Sequence, residues 1–459
     1  MELKAAWEKQ KAFFSTNQTK PIAYRLQQLK NLKKLILDHE KDIMTALFQD
    51  LKKPEIEAYT GEVGYLLHEI DYTLKNLKRW AKGHVLKTPP INMPGKTYIF
   101  PEPYGTVLII SPWNYPFQLL LAPLVGSIAA GNCSILKPSE IAPHTSALVA
   151  SLIPQYFAPE FISVVEGGVA ETKELLSFAF DFIFYTGNST VARVVMEAAS
   201  KNLTPVALEL GGKNPCIVTE KSDLKVTARE IAWGKFFNAG QTCIAPDYLL
   251  VPQSIEQKLT DLLVQTIQEF YGEDPQKSKD YGRIINQRHF KRVSELLQDG
   301  KVVAGGKTEE KDLYISPTLL TAVASDARIM KEEIFGPVLP IIAYNNLEDA
   351  LSIIKQYPKP LVVYMFSKDK KEQTQIAQET SSGGICFNAT LSYLVGSSLP
   401  FGGVGESGMG KYHGQSSFAL FSHPKSILRR SFALRPKIAY PPYSIPLSYM
   451  KKLLNYILG

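Results

Sequence analysis

Apolar residues in the first 80 positions recur every three to four residues. Leu26, Leu29, Leu32, Leu35 and Ile36 fall on one helical face and Lys and Glu fill the other, so helices are expected over 1–80. Pro89, Pro90, Pro94, Pro101 and Pro103 break this pattern over 81–103, which suits an extended arm. From 104 the period changes. Thr106–Ser111 is a continuous apolar run, as expected of a strand buried on both faces. Helix 118–130, strand 133–136, helix 143–153, strand 161–165, helix 170–177, strand 181–185, helix 189–201 and strand 205–209 follow. A second alternating block covers 215–390, with strands at 216–218, 248–251, 338–344, 361–366 and 384–387 and amphipathic helices at 255–270 and 347–357. Repeated strand–helix–strand units imply an α/β fold with doubly wound parallel sheets and right-handed crossovers. Ligands bind such sheets at the carboxyl ends of the strands. The tail after 410 is basic, contains prolines and ends in Met450–Gly459.

Composition narrows the class. A chain of 459 residues exceeds one ordinary core, so about two or three domains are expected. With 45% hydrophobic and 21% charged residues it resembles a soluble globular enzyme. A formal net charge of +7 and a pI near 8.9 are mild for 51.1 kDa, and without a clustered basic face no nucleic-acid partner is expected. The four cysteines (133, 216, 243 and 386) lie far apart in apolar sequence, which is neither a disulfide framework nor a zinc pair. The seven histidines show no ligand spacing, so no metal site is expected. Leu119–Ala130 is greasy but too short to span a bilayer, and Pro123 interrupts it. Residues 1–9 carry no apolar run of the signal-peptide kind, and a cytoplasmic protein is expected.

Cys243 draws the chemical argument. It sits in Asn238-Ala239-Gly240-Gln241-Thr242-Cys243-Ile244-Ala245-Pro246, between a helical pattern and a strand. Such a cysteine is either an inert core thiol or a nucleophile aimed into a cleft. An ordinary thiol with a pKa of about 8.5 is roughly 3% thiolate at pH 7, so full ionisation gains at most about 30-fold. An enzyme needs at least about 8 kcal/mol, so most of the acceleration must come from positioning and charge stabilisation. Asn114, in the turn Pro112-Trp113-Asn114-Tyr115-Pro116, either organises that turn or donates its amide to a developing oxyanion. Glu209 ends a strand before Gly211 and Gly212. It is either a surface carboxylate or a general base at the edge of an apolar site. Glu333, in Glu332-Glu333-Ile334-Phe335-Gly336-Pro337, is a solvated carboxylate, a second base or an acceptor for sugar hydroxyls.

Lys137 and Glu140 follow the second buried strand. They form an ordinary polar loop or contact a nucleotide, where Glu140 would accept from ribose hydroxyls and repel a 2′-phosphate. Thr186-Gly187-Asn188-Ser189 opens a helix and is either a plain cap or a pyrophosphate site. Gly403-Val404-Gly405-Glu406-Ser407-Gly408 matches the dinucleotide fingerprint, but no buried strand precedes it. It reads as a flexible loop, with Phe401 just ahead available to line a pocket.

Taken in order, these motifs resemble the aldehyde dehydrogenase superfamily over about residues 20–445. The short N-terminus, Cys243–Tyr248 and Tyr440-Pro441-Pro442-Tyr443 are similar to its class 3, fatty-aldehyde-like branch. The resemblance implies a Rossmann-like NAD(P)-binding domain (1–80 and 104–209), a catalytic α/β domain (210–402), and an arm and tail (81–103 and 411–459) for oligomerisation. It implies oxidation of an aldehyde to the acid with NAD, NADP being possible. Cys243 would be the nucleophile, Asn114 and the Cys243 N–H the oxyanion hole, and Glu209 the activator of water. Lys137, Glu140, Gly187, Glu333 and Phe335 would contact the dinucleotide, and Tyr115, Asn388 and Phe401 would border the nicotinamide or substrate. Tyr65 and Trp233 are further candidates for an apolar pocket, which favours an apolar aldehyde. A homodimer is implied, and the tail is expected to pack on a partner subunit in preference to touching membrane. Two rivals stay open: a relative that passes the thioester to coenzyme A, against which Glu209 argues, and a non-catalytic protein on the same fold.

Overall fold

The computed structural model describes residues 3–394, 396, 398–433, 440–443 and 445–458. Its first 80 residues form the helices Leu3–Ser15, Ile22–Asp38, Glu40–Leu51, Glu55–Ala58 and Gly64–Trp80, with a π-helical turn over Tyr59–Val63. The helical pattern read from the sequence has its expected consequence: Leu29, Leu32, Leu35 and Ile36 are buried together. Arg25 is buried with them and donates to the Thr19, Lys20 and Ala129 carbonyls, the last at the C-terminal end of helix Gln118–Ala130.

A short strand β1 (His84–Leu86) and a long one β2 (Gly95–Pro103) follow, and then the alternating region. Strands β3 (Thr106–Ile110), β4 (Cys133–Lys137), β5 (Ile162–Val164), β6 (Phe182–Thr186) and β7 (Val206–Glu209) are parallel, with helices between them. Every residue of β3 is buried, as its unbroken apolar run requires. Helix Gln118–Ala130 is buried along its whole length and stops at Gly131, whose φ of 98° is a left-handed cap.

The second block supplies β8 (Pro215–Val218), β9 (Tyr248–Pro252), β10 (Lys301–Ala304), the hairpin β11 (Thr308–Glu309) and β12 (Tyr314–Ile315), then β13 (Thr318–Thr321), β14 (Val338–Tyr344), β15 (Val362–Phe366) and β16 (Gly384–Phe387). Seven of these nine form one sheet in the order β10-β13-β14-β9-β8-β15-β16, parallel except for β10. Last come β17 (Gly408–Met409) and β18 (Ser422–Arg430). The first sheet runs β17-β7-β6-β3-β4-β5, with β17 antiparallel to β7. β18 pairs along the full length of β2, so the arm and the start of the tail form one three-stranded sheet with β1.

Several features escaped the pattern, the four-residue β13 among them. β10 is largely exposed and β11 and β12 are two residues each, so none carries a period long enough to read. β17 lies at the end of the expected loop and β18 in the expected tail, and neither was readable because its partner, β7 or β2, is far away in sequence. The Gly403–Gly408 segment is not a flexible loop. Leu210 donates to the Ser407 carbonyl, Ser407 Oγ bonds within the turn, and Gly408 sits opposite Glu209. Its glycines serve close packing, since a Cβ on Gly403 or Gly408 would strike backbone.

Candidate active site

A cavity of about 480 Å³ opens where the strands of the first sheet end, bordered also by turns and a helix of the second block. Residues following β3, β4, β6 and β7 line it, together with Cys243, Arg288, His289, Arg292, Glu333 and Phe335 from the second block.

Cys243 reaches this cavity through an unusual turn. Asn238, Ala239 and Gly240 all have left-handed backbones, with φ of 53°, 51° and 74°. Two of them are not glycine, so the turn stores strain that its surroundings must hold. Asn238 Nδ2 donates to the Asn114 and Gln241 carbonyls, and Asn238 N donates to Glu57. Gln241 bonds to Asn238, Arg283 and Ile285. The thiol is half-buried yet deep in the cleft. Burial pushes it well above the usual thiol range, the Glu333 and Glu209 carboxylates push the same way, and the Cys243 and Ile244 N–H groups pull it back. A resting thiol, and not a standing thiolate, follows from that balance.

Asn114 follows β3 and is buried. One hydrogen of its amide is given to the Gln241 carbonyl at 3.0 Å, which orients the group and leaves the second hydrogen for the cavity. Glu209 ends β7, and neither of its carboxylate oxygens has a hydrogen-bond partner. Burial holds its carboxyl well above the usual range, opposed by the Lys411 ammonium. Glu333 lies against Gly211, where any Cβ would collide with its carboxylate, and burial followed by the Asp247 charge pushes it up to about 8.

At the other end, Lys137 Nζ donates to the Pro138 carbonyl and lies 3.7 Å from the half-exposed Glu140 carboxylate. Burial lowers the Lys137 pKa. Gly187 donates to the Glu209 carbonyl and lies so close to Tyr185 that a Cβ would strike its hydroxyl. Val169, Leu176, Val191 and Val194 make this end apolar. Phe335 and Trp113 meet edge to face at 5.3 Å, and Trp113 packs on His289 at 4.8 Å. Burial, then Arg292 and Arg288, lower His289 to about 4, so it is neutral near pH 7.

Nine of the eleven site residues expected from the sequence therefore border one cavity, Phe401 among them. Tyr115 does not line it. Its hydroxyl bonds Thr242, the neighbour of Cys243, at 2.7 Å. Asn388 does not line it either: its side-chain oxygen accepts from Ser367 N, and its φ is 58°. Tyr65 packs on His413 and Trp233 on Phe237, both away from the lining. Sequence reasoning missed Trp113, His289, Arg288 and Arg292. The aromatic neighbour of Asn114 was a usable signal. The helix Gln287–Glu295 carries no motif at all.

A family model described as the aldehyde dehydrogenase family matches residues 1–427. The chain is 49% identical over 443 residues to a 4,4′-diaponeurosporen-aldehyde dehydrogenase of Staphylococcus aureus (strain NCTC 8325 / PS 47), covering 96% of each. The chain belongs to the aldehyde dehydrogenase family. Class 3 relatives match over nearly the same span. A dimeric NADP-preferring aldehyde dehydrogenase of Canis lupus familiaris is 48% identical over 95% of this chain and 96% of its own. Aldehyde dehydrogenase family 3 member A2 of Macaca fascicularis is 48% identical over 94% and 89%. Among solved structures, a substrate-bound state of Staphylococcus aureus AldH superposes with a TM-score of 0.97 at 47% identity, covering 99% of this chain and 100% of that one.

This aldehyde dehydrogenase oxidises aldehydes to acids and uses a nicotinamide dinucleotide. The cavity fits such a cofactor on its own chemistry. Thr186 Oγ1 and Ser111 Oγ are buried at its wall without protein partners, as groups awaiting a polar ligand would be. The Asn188-capped helix Ser189–Ser200 presents its N-terminus there, a natural phosphate site, and the four apolar side chains suit a base. The dehydrogenase manages this without the usual glycine fingerprint, which is why that search pointed at the wrong loop.

Proposed function

We propose that Cys243 is the nucleophile, that Asn114 and the Cys243 N–H stabilise the oxyanion, and that Glu209 is the base of deacylation. The observation that best supports this reading is the meeting of these three groups at one cavity, with Glu209 free of any partner that would tie up its oxygens. Sγ bonds to the aldehyde carbon and its proton leaves to a carboxylate. The new alkoxide accepts from the spare Asn114 hydrogen, worth about 10²–10³ in rate. A bound nicotinamide supplies the hydride acceptor. Glu209 then takes a proton from the water that attacks the thioester carbon. The carbon–sulfur bond breaks, the acid departs, and the thiolate recovers a proton. Lys137, Glu140, Gly187, Glu333 and Phe335 hold the dinucleotide, with Arg292 and His289 beside them. Mass spectrometry of a quenched reaction is expected to find an acyl adduct on Cys243; an adduct confined to another residue would overturn the assignment.

NAD is the proposed first choice. The Glu140 carboxylate stands where it would oppose a 2′-phosphate, although class 3 relatives include NADP-preferring enzymes. Glu140→Gln is expected to raise the ratio of NADP to NAD kcat/KM by on the order of 5-fold, the scale of about 1 kcal/mol of like-charge repulsion near water. An unchanged ratio would remove Glu140 from cofactor selection.

The proposed substrate is an apolar aldehyde. Phe401, stacked on His413 at 5.1 Å, and Tyr412 give the cavity an aromatic wall beside Cys243 and Glu209. The Staphylococcus aureus relative named for 4,4′-diaponeurosporen-aldehyde points the same way. A screen over aldehyde chain length should show kcat/KM rising with apolar length. We further propose a cytoplasmic homodimer built on the β1-β2-β18 sheet, where Val85, Leu86, Phe100 and Leu428 are exposed, with the tail helix packed on the partner. Among the described residues no helix is long and apolar enough to cross a membrane.

A further inference from the structure

We propose that the buried Lys53–Glu62 ion pair is the positioning device of the oxyanion hole. It holds Asn114 from behind so that its amide faces the Cys243 side of the cavity. This inference rests on the reading of Asn114 as the oxyanion donor.

Both side chains of the pair are completely buried. Lys53 Nζ donates to Glu62 and, at 3.0 Å, to the Asn114 backbone carbonyl. Asn238 Nδ2 donates to that same carbonyl at 2.9 Å. Both acceptor sites of one oxygen are therefore taken, which pins the 114–115 peptide and with it the direction of the Asn114 side chain. Glu62 uses its second oxygen on the far side of the turn, accepting from Phe117 N at 3.0 Å and Gln118 N at 3.1 Å. The ammonium also stands 4.1 Å over the Tyr115 ring, whose hydroxyl bonds Thr242 next to Cys243. One ion pair thus grips the Asn114 turn at both ends and reaches the nucleophile turn through Tyr115 and Asn238.

The local backbone is built to deliver these groups. Lys52 closes helix Glu40–Leu51 in a left-handed conformation, φ 50°, which turns Lys53 inward. The π-helical turn Tyr59–Val63 carries Glu62 to the same point. A buried ion pair adds little net stability over apolar side chains of the same size, so folding alone is a poor reason for it. Geometry is the better one, because displacing a reacting group by about 1 Å costs on the order of 10²-fold.

A double-mutant cycle tests this on the full chain, reading kcat/KM for aldehyde oxidation and, separately, cofactor affinity. Asn114→Ala should lower kcat/KM by about 10²–10³-fold. Lys53→Met should lower it by about 10- to 100-fold when Asn114 is present and by less than about 3-fold when it is alanine, since the two changes remove the same interaction. Cofactor affinity should hold in every variant. If Lys53→Met does not fold, the neutral pair Lys53→Met/Glu62→Gln enters the same cycle. Equal losses in both backgrounds, or a parallel loss of cofactor affinity, would overturn the positioning role while leaving Asn114 as the donor. A silent Asn114→Ala would instead remove the oxyanion reading, and the inference with it.

Discussion

Replacing Cys243 by alanine is expected to abolish aldehyde oxidation while leaving the dinucleotide bound as tightly as before. The loss should be on the order of 10⁴-fold or more, the scale reached when a covalent nucleophile is removed. Nothing nearby can substitute. The other three cysteines are buried, and Cys216 and Cys386 sit inside the second sheet. Cofactor affinity should survive because the residues proposed to hold the dinucleotide, Lys137, Glu140, Gly187, Glu333 and Phe335, do not include the sulfur. The turn around Cys243 should survive as well, since it is held by Asn238, Gln241 and Glu57 and not by the sulfur. Titration by cofactor fluorescence and steady-state turnover on the same preparation check both halves. Turnover within about 10-fold of the parent would exclude the covalent route.

Glu209→Gln is expected to slow turnover by about 10²–10⁴-fold, the usual yield of a positioned general base, and to let the acyl-enzyme accumulate. Rapid mixing should then show a burst of reduced cofactor near one equivalent, followed by a slow steady rate. The absence of a burst together with an unchanged steady rate would remove Glu209 from deacylation. The pH dependence has a definite sign. Burial holds the Glu209 carboxyl well above its ordinary range, so the base form grows as pH rises and deacylation should rise with it. In the glutamine variant that limb should flatten. Stability should move the opposite way. The folded chain keeps this proton to higher pH than the unfolded chain, so the associated stability is complete below the ordinary glutamate pKa and is lost as pH climbs through the folded value. Glutamine does not titrate, so Glu209→Gln should melt at a higher temperature than the parent in alkaline buffer, with the gap closing in acid. In the proposed role, a buried carboxylate without a protein partner is a place where activity and stability conflict.

Much of this was legible one residue at a time. The α/β alternation was readable because strands buried on both faces must be continuously apolar, as Thr106–Ile110 is. Cys243, Asn114 and Glu209 stood out because each adjoins turn residues at an element end. Arg292 and His289 did not, because they lie on an ordinary amphipathic helix and become site residues only by the direction that helix faces. Tyr115 and Asn388 were expected beside the nicotinamide or substrate from the family resemblance. In the fold Tyr115 turns its hydroxyl to the Thr242 hydroxyl, and Asn388 turns its side-chain oxygen to Ser367 N.

By itself the sequence determined the local periods, the turns and the order of the motifs, because these depend on neighbours within a few residues. Tertiary structure alone decided which distant groups share a space. Only packing could bring Lys53 against the Asn114 carbonyl, lay β18 along β2, and leave the Glu209 oxygens buried without a protein partner. The physical reason is that burial and hydrogen bonding between residues far apart in the chain depend on the closed core, and no run of sequence encodes them separately.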